Sequence, residues 1–243
     1  GGETMPRKID HTQMGSGDLG WLKSLFHFSF SNYYNPKNVK FGKLRVINDD
    51  LVKPDTGFPT HPHRDMEIVT YVIDGQLTHA DSMGNERTLS RGDVQFMTAG
   101  TGITHSEYNL GDTMLRFLQI WIFPEKSMLT PNYGDHHFEP KDRHNRWQHI
   151  VSHADGNAPI RIRQDANIFI MELDAGKEAD FPVKPGRQAY LVQIEGNARI
   201  NDVDVNMRDA MEIVEEDIHI TAKEDAHFLI IELAVPEPVR IVR

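Results

Sequence analysis

Short runs of β-branched and aromatic residues, separated by turn residues, dominate the middle of the chain. The run Glu67–Ile73 (EIVTYVI) stops at Asp74-Gly75, a pair typical of tight hairpin turns. Met114–Phe123 carries bulky residues on both faces, as a strand in the middle of a barrel or sandwich does. Similar runs recur at Gln76–Asp81, Val94–Met97, Ile160–Arg163, Ile168–Leu173, Gln188–Ile194, Met211–Val214 and Phe228–Val235. Because helical periodicity is weak throughout, the pattern predicts an all-β fold of the jelly-roll or sandwich type.

The second half of the chain repeats the first at low similarity. Tyr71–Gly75 (YVIDG) aligns with Val192–Gly196 (VQIEG), and Gly92-Asp93 aligns loosely with Arg208-Asp209. A weak repeat on a scale of about one hundred residues predicts two copies of one barrel, joined in tandem.

A polar stretch between the two halves has the composition of a linker. We expect an N-terminal barrel over residues 5–135, a linker region over 136–157 and a C-terminal barrel over 158–243. The linker is rich in histidines, but their spacing follows neither a strand face nor a helix face. A solvated loop is therefore favoured over a metal site for His136, His137, His144, His149 and His153.

The charge balance and the absence of cysteine narrow the function. The chain has 243 residues, with 26 basic against 36 acidic side chains and a formal charge of −10. Such a surface repels phosphate backbones, so direct nucleic-acid binding is not expected. Without cysteine, any metal must be held by histidine and carboxylate. The apolar runs are too short to span a bilayer and no secretory signal is visible, so we expect a cytoplasmic protein.

Two pairs of metal-capable side chains carry the chemistry. His61 and His63 form one pair, His105 and Glu107 the other, and each pair occupies positions i and i+2. On a strand these positions face the same way, so two facing strands of a small barrel would bring four ligands to one point. Imidazole and carboxylate suit Fe, Ni, Cu, Co, Mn or Zn, and this set would leave coordination positions open. Hydrogen-bonded core histidines are the alternative interpretation for His63 and His105.

The second copy lacks these ligands. In the register of the repeat, Pro182 and Lys184 take the positions of His61 and His63. The second barrel therefore cannot bind a metal in the same way, and we interpret it as a scaffold, a pocket lid or a docking surface.

The motifs around the four residues resemble a known family. The pattern G-x3-H-x-H-x3-E…G, from Gly57 to Gly75, is similar to the first cupin motif, and Gly102-x2-His105-x3-Asn109 is similar to the second. The longer form THPHRDMEIVTYVIDG…GDVQFMTAGTGITHSEYN, with WLKSLFHFSFSNYYNP before it, resembles the pirin family, particularly bacterial members described as quercetin 2,3-dioxygenases. The proline usual in the second cupin motif is absent, a change that pirins share.

This resemblance implies a bicupin, two tandem jelly-roll barrels with one metal ion in the first. It implies the ligands His61, His63, His105 and Glu107, the set already reached from strand geometry. Glu67, the glutamate of the first motif, is not a ligand in pirins, and we expect it either to have a structural role or to orient a ligand histidine. The implied activity is 2,3-dioxygenation of flavonols such as quercetin, with Fe(II) the expected metal and Glu107 the base that takes the hydroxyl proton.

Three functions stay open at this point. The first is a dioxygenase that takes a small phenolic substrate and dioxygen. The second is a regulatory protein that binds a transcription factor or a metabolic enzyme, as pirins are also known to do, with the metal as a structural or redox-sensing element. The third is a non-oxidative cupin enzyme, such as an isomerase, that uses the metal as a Lewis acid.

Overall fold

The computed structural model describes residues 6–63, 65–82, 84–99, 103–126 and 132–237, with the backbone alone at 60–63, 99 and 103. Within these ranges the chain forms β-strands and two short 3₁₀ turns, His11–Gln13 and Pro140–Asp142. The prediction of an all-β fold is confirmed. No helix in this part of the chain is long and apolar enough to cross a membrane.

The first half of the chain supplies twelve strands to the described structure. In chain order they are β1 (Arg7–Ile9), β2 (Gly15–Asp18), β3 (Leu22–Phe26), β4 (Leu44–Val52), β5 (Thr56–His63), β6 (Met66–Asp74), β7 (Leu77–Asp81), β8 (Glu86–Leu89), β9 (Val94–Ala99), β10 (Ile103–Asn109), β11 (Leu115–Ile122) and β12 (Asn132–His136). A seven-stranded sheet in the order β12-β9-β6-β11-β4-β3-β2 and a four-stranded sheet in the order β5-β10-β7-β8 enclose the first barrel.

The second half supplies ten further strands. They are β13 (Gln148–His153), β14 (Ile160–Ile162), β15 (Ala166–Leu173), β16 (Glu178–Phe181), β17 (Arg187–Glu195), β18 (Ala198–Ile200), β19 (Val203–Val205), β20 (Ala210–Val214), β21 (Ile218–Ala222) and β22 (Ala226–Ala234). Their sheets have the orders β1-β20-β17-β22-β15-β13-β14 and β16-β21-β18-β19, which repeat the first half closely.

The repeat predicted from the sequence holds at the level of single hydrogen bonds. The backbone N–H of Gly92 donates to the carbonyl of Val72 at 2.9 Å, and that of Arg208 donates to the carbonyl of Gln193 at 2.6 Å. Gly92 and Arg208 both have positive φ angles, 85° and 77°. An arginine in this left-handed region is strained, and its side chain is committed to an ion pair with the first barrel, described below.

Each seven-stranded sheet ends on a strand from a distant part of the chain. Strand β1, within the range expected for the N-terminal barrel, pairs antiparallel with β20 of the second sheet. Strand β12 pairs with β9 of the first sheet. The segment 136–157, expected as a linker, contains β13, which pairs with β15 in the second sheet.

The two seven-stranded sheets pack against each other through one continuous apolar core. Side chains from both halves contribute to it, among them Ile47, Val69, Leu118, Ile120, Ile168, Ile170, Leu229 and Ile231. Two buried tyrosine–histidine pairs cross this interface: the Tyr71 hydroxyl lies 2.7 Å from His227 Nε2, and His27 Nδ1 lies 2.8 Å from the Tyr190 hydroxyl. Burial lowers the pKa of His27 to about 4, so this side chain is neutral at physiological pH.

A buried carboxylate joins the barrels electrostatically. Asp49 on β4 accepts two hydrogen bonds from the Arg116 guanidinium, at 3.0 and 2.8 Å. It also accepts one from Arg208 Nε at 2.9 Å, and Arg208 belongs to the second barrel. Burial alone would raise the pKa of Asp49, but the hydrogen bonds and charges of the two arginines hold it below its usual range.

Candidate metal centre

Strands β5 and β10 carry the four residues singled out in the sequence. In their antiparallel pairing His105 lies opposite His61, whereas Glu107 lies opposite Phe58, because the register shifts between them. Such a β-bulge re-aims side chains locally. Gly57 permits the close approach of the strands, since a Cβ atom there would lie 2.2 Å from the carbonyl oxygen of Glu107.

His105 and Glu107 lie side by side inside the first barrel. Their side chains are 1% and 2% exposed, and His105 Nδ1 is 3.5 Å from Glu107 Oε1. A third residue, His79 on β7, brings its Nε2 to 3.2 Å from His105 Nδ1. We did not select His79 from the sequence, although its alternation with the buried Leu77 on β7 signals an inward-facing position.

Glu107 has an unusual environment for a carboxylate. Burial, reinforced by the nearby charge of Asp50, raises its pKa to about 8. Its Oε1 atom is buried and has no hydrogen-bond partner among the described residues. A buried acceptor of this kind is costly unless an ion or a bound molecule supplies the missing interaction.

The side chains of His61 and His63 lie outside the described residues, so the set His61, His63, His105 and Glu107 stays a prediction. The residues that are described fit a metal ion: an imidazole and a carboxylate converge at a buried point, and one carboxylate oxygen lacks a partner. The backbone register puts the Cα atoms of His61 and His105 opposite each other on paired strands.

A belt of polar side chains crosses the barrel interior at the level of His105 and Glu107. One apolar cluster, including Val52, Val72 and Phe117, lies on one side of it, and a second, with Ile68 and Met97, lies on the other. Strand alternation brings the following residues of the seven-stranded sheet into this polar belt: Asn48, Asp50, Thr70, Gln95 and Gln119.

Several atoms of the polar belt lack a hydrogen-bond partner, as Glu107 Oε1 does. Asn48 Oδ1, Asp50 Oδ1 and both side-chain polar atoms of Gln95 are buried without a hydrogen-bond partner in the described structure. Native interiors leave few such atoms, and those that occur commonly face bound water or ions. The belt is therefore the part of the barrel built to receive something polar.

A cavity of about 640 Å³ leads from the polar belt towards the surface. Asn48, Asp50 and Gln119 line its inner part. Aromatic rings line its walls: Phe26, Phe30, Tyr33 and Phe58. Tyr33 packs so closely over β2 that a Cβ atom at Gly15 would meet its ring at 2.2 Å. The cavity has the size and the mixed lining of a small-molecule site.

Glu67 points away from this cavity. It shares a face of β6 with Val69 and Tyr71, which belong to the core between the barrels. Its carboxylate accepts hydrogen bonds from the backbone N–H groups of Arg163 and Gln164, at 2.5 and 2.9 Å. These contacts tie β6 to the second barrel; any contact with His61 or His63 falls outside the described side chains.

The second barrel is filled with apolar side chains where the first has its polar belt. Strand pairing puts Ile218 and Ile220 in the positions of His105 and Glu107, and all are buried. The predicted register that set Pro182 against His61 was wrong by one residue: Phe181 lies opposite Ile218, as His61 lies opposite His105. The turn before β17 holds one residue more than its counterpart, which the sequence motif alone did not reveal.

Two other groups of ligand-type atoms occur among the described residues. Asp10, His11 and Asp209 form one, and Glu172, Glu195 and His227 form the other. In the second group the guanidinium of Arg91 already occupies the cation position, with its Nη2 at 2.5 Å from Glu172 and 2.6 Å from Glu195. We therefore interpret this second group as an ion pair between the barrels and not as a metal site.

The raised pKa of Glu107 predicts a pH-dependent metal affinity. A metal needs the carboxylate form, and below about pH 8 it must displace a proton from Glu107. We expect Ni(II) to bind about tenfold more weakly near pH 7 than near pH 9 after correction for metal hydrolysis. Competition with a chelator of known affinity measures this. In a Glu107→Gln protein the difference should vanish; an equal pH dependence in both proteins would contradict the assignment.

The sequence matches two family models over most of its length. Residues 8–122 match the model described as Pirin, and residues 149–233 match one described as Quercetinase C-terminal cupin domain. A pirin-like protein of Caulobacter vibrioides is 43% identical over 224 residues, which cover 91% of this chain and 97% of that protein. A quercetin 2,3-dioxygenase of Escherichia coli K12 is 39% identical over 223 residues, covering 91% of this chain and 95% of that enzyme.

Solved structures of bacterial pirins are similar to this chain over nearly its whole length. The crystal structure of YhhW from Escherichia coli superposes with a TM-score of 0.88 at 37% identity, covering 98% of this chain and 100% of that one. The structure of bacterial pirin YhhW in complex with nickel(II) superposes with a TM-score of 0.86, covering 95% of this chain and 99% of that one.

Proposed function

The chain belongs to the pirin family, and on this premise we propose that it is a metal-dependent dioxygenase that opens the ring of flavonols such as quercetin. The observation that carries the proposal is the buried pair His105 and Glu107, with an unpartnered carboxylate oxygen, together with an aromatic-walled cavity whose residue Phe58 lies opposite Glu107 on the paired strand. The similarity to a quercetin 2,3-dioxygenase from Escherichia coli supports the substrate class.

Four side chains would hold one divalent transition metal: His61, His63, His105 and Glu107. Fe(II) is the metal we propose first, with Ni, Cu, Mn, Co and Zn as alternatives, because imidazole and carboxylate ligands bind all of these metals. A similar protein binds nickel(II) in a crystal structure. When bound, the metal would supply the Lewis acidity and electron transfer that allow dioxygen to react with an electron-rich flavonol.

Glu107 takes the proton of the flavonol 3-hydroxyl on the carboxylate oxygen that would not hold the metal. Burial raises the pKa of Glu107 to about 8 in the metal-free protein, and a bound cation would keep the side chain in the carboxylate form that can accept this proton. Both atoms of dioxygen end in the ester product, while the ring carbon that carried the 3-hydroxyl leaves with its oxygen as carbon monoxide.

The cavity walls orient the substrate and keep water out. Phe26, Phe30 and Phe58 present apolar surface to a planar ring system, and Trp21 packs edge-on against Phe58 at 5.2 Å. Excluding water strengthens the electrostatic interactions around Glu107.

Metal-loaded protein tests the proposal. Separate samples receive Fe(II), Ni(II), Cu(II), Mn(II) or Co(II), and loss of quercetin absorbance is followed together with oxygen consumption, with His63→Ala as the control. We expect oxygen and quercetin to disappear in equal amounts with at least one metal, and not in the variant. If the protein bound metal stoichiometrically but showed no turnover with any of the five metals, the dioxygenase proposal would be refuted and a regulatory role favoured.

A further inference from the structure

Two acceptors on β4 face the cavity without a protein partner. Asn48 and Asp50 are each 5% exposed, and both line the cavity. The Oδ1 atom of each is buried with no hydrogen-bond donor in the described part of the chain. Asp50 receives one hydrogen bond from the side chain of Ser24, so its other oxygen is the one presented to the cavity. A molecule that enters the cavity can therefore supply a hydrogen-bond donor to each Oδ1 atom.

Their spacing defines what can satisfy both. Asn48 and Asp50 are two residues apart on one strand face, so their Cα atoms are roughly 6.6 Å apart. Two adjacent hydroxyl groups on one aromatic ring can each donate to one acceptor across this span. A single hydroxyl can satisfy only one of them.

The walls around these acceptors suit an aromatic ring. Phe26 and Phe30 lie on the same cavity, with ring centroids 5.4 Å apart, and Phe58 closes it from the opposite sheet. The Tyr33 hydroxyl is a third buried polar atom without a partner at this cavity. Apolar walls with a few convergent polar atoms are the arrangement that fixes ligand orientation and gives specificity.

We propose that Asn48 and Asp50 form a hydroxyl-recognition subsite that selects aromatic ligands carrying two adjacent hydroxyl groups on one ring. The inference rests on the proposed function in one respect, because it takes the same cavity to hold the substrate. A ligand without these hydroxyls displaces water from two buried acceptors and forms no hydrogen bonds with them, whereas a ring with two adjacent hydroxyls replaces the lost hydrogen bonds. A site built for hydroxyl groups therefore rejects the analogue that lacks them.

A flavonol series measures the selectivity by binding alone. Galangin, kaempferol and quercetin carry none, one and two hydroxyls on the pendant ring, and their dissociation constants are measured without oxygen by fluorescence quenching of the Ni(II)-loaded protein. We expect affinity to rise along the series, with quercetin about 5- to 100-fold tighter than galangin. Equal affinities for the three flavonols would overturn the proposal, and this comparison needs no variant to fold.

Variants assign the selectivity to the two residues. In Asn48→Leu and Asp50→Leu the preference for quercetin over galangin should collapse, while Asp50→Asn, which keeps an acceptor oxygen, should retain most of it. Asn157→Leu is the matched control, because Asn157 is exposed and lies outside this cavity. A preference kept in full by both leucine variants would overturn the assignment. Selective binding without turnover would refute only the proposed dioxygenase activity. Turnover without selective binding would refute only the proposed hydroxyl-recognition subsite.

Discussion

Replacing Glu107 with glutamine is expected to reduce oxygen-coupled quercetin turnover by about 10²- to 10⁴-fold at saturating metal, the range typical of a lost general base. Glutamine is nearly isosteric and keeps one oxygen, but it cannot take a proton. The side chain is 2% exposed, so no solvent-exposed base can replace it easily. Turnover and bound metal are measured on the same samples.

The control separates chemistry from metal loss. Glu178→Gln changes an exposed carboxylate on β16, the strand of the second barrel that corresponds to β5, and should leave turnover unchanged. If Glu107→Gln kept both full metal content and full turnover, Glu107 would not be the base. If it lost the metal at saturating concentration, its role as a ligand would dominate.

Replacing Asp49 with alanine is expected to lower the free energy of unfolding by about 3–5 kcal/mol, the range measured when one partner of a buried ion pair is removed. The substitution leaves the Arg116 guanidinium, 8% exposed, without its carboxylate. It also releases Arg208, whose positive φ angle is compatible with the fold only while other contacts hold it. Urea denaturation followed by fluorescence gives the midpoint and slope.

An exposed ion pair supplies the comparison for Asp49. Asp204 contacts Lys223 at 2.7 Å on the surface of the second barrel, and Asp204→Ala should hardly move the urea midpoint. Equal midpoints for the Asp49 and Asp204 variants would show that the buried network between the barrels contributes nothing to stability.

The elements of the fold were predictable where local pattern decides them. The run that ends at Asp74-Gly75 forms β6, and the turn has the expected glycine with φ of 77°. The aligned pairs Gly92-Asp93 and Arg208-Asp209 occupy equivalent turns. Strand β1 could not be predicted from the sequence, because its pairing with β20 joins residues about two hundred positions apart and depends on tertiary packing.

The candidate site was predictable in part for the same reason. The i, i+2 spacing of His105 and Glu107 brought both side chains to one point, because alternation along a strand is a local property. Asn48, Asp50 and His79 lie on other strands, and which strands face each other across a barrel cannot be read from one sequence. The unpartnered oxygens of the polar belt can be identified only from a three-dimensional structure, because they depend on where the surrounding side chains lie.

Metal content after loading and desalting tests the central claim most directly, namely that the first barrel holds one ion on His61, His63, His105 and Glu107. The account predicts about one equivalent of metal per chain in the unmodified protein and in His144→Ala, an exposed histidine of the predicted linker. It predicts loss of the ion in His61→Ala and in His105→Ala. A full equivalent retained by both of these variants would contradict the account and direct attention to another group, such as Asp10, His11 and Asp209.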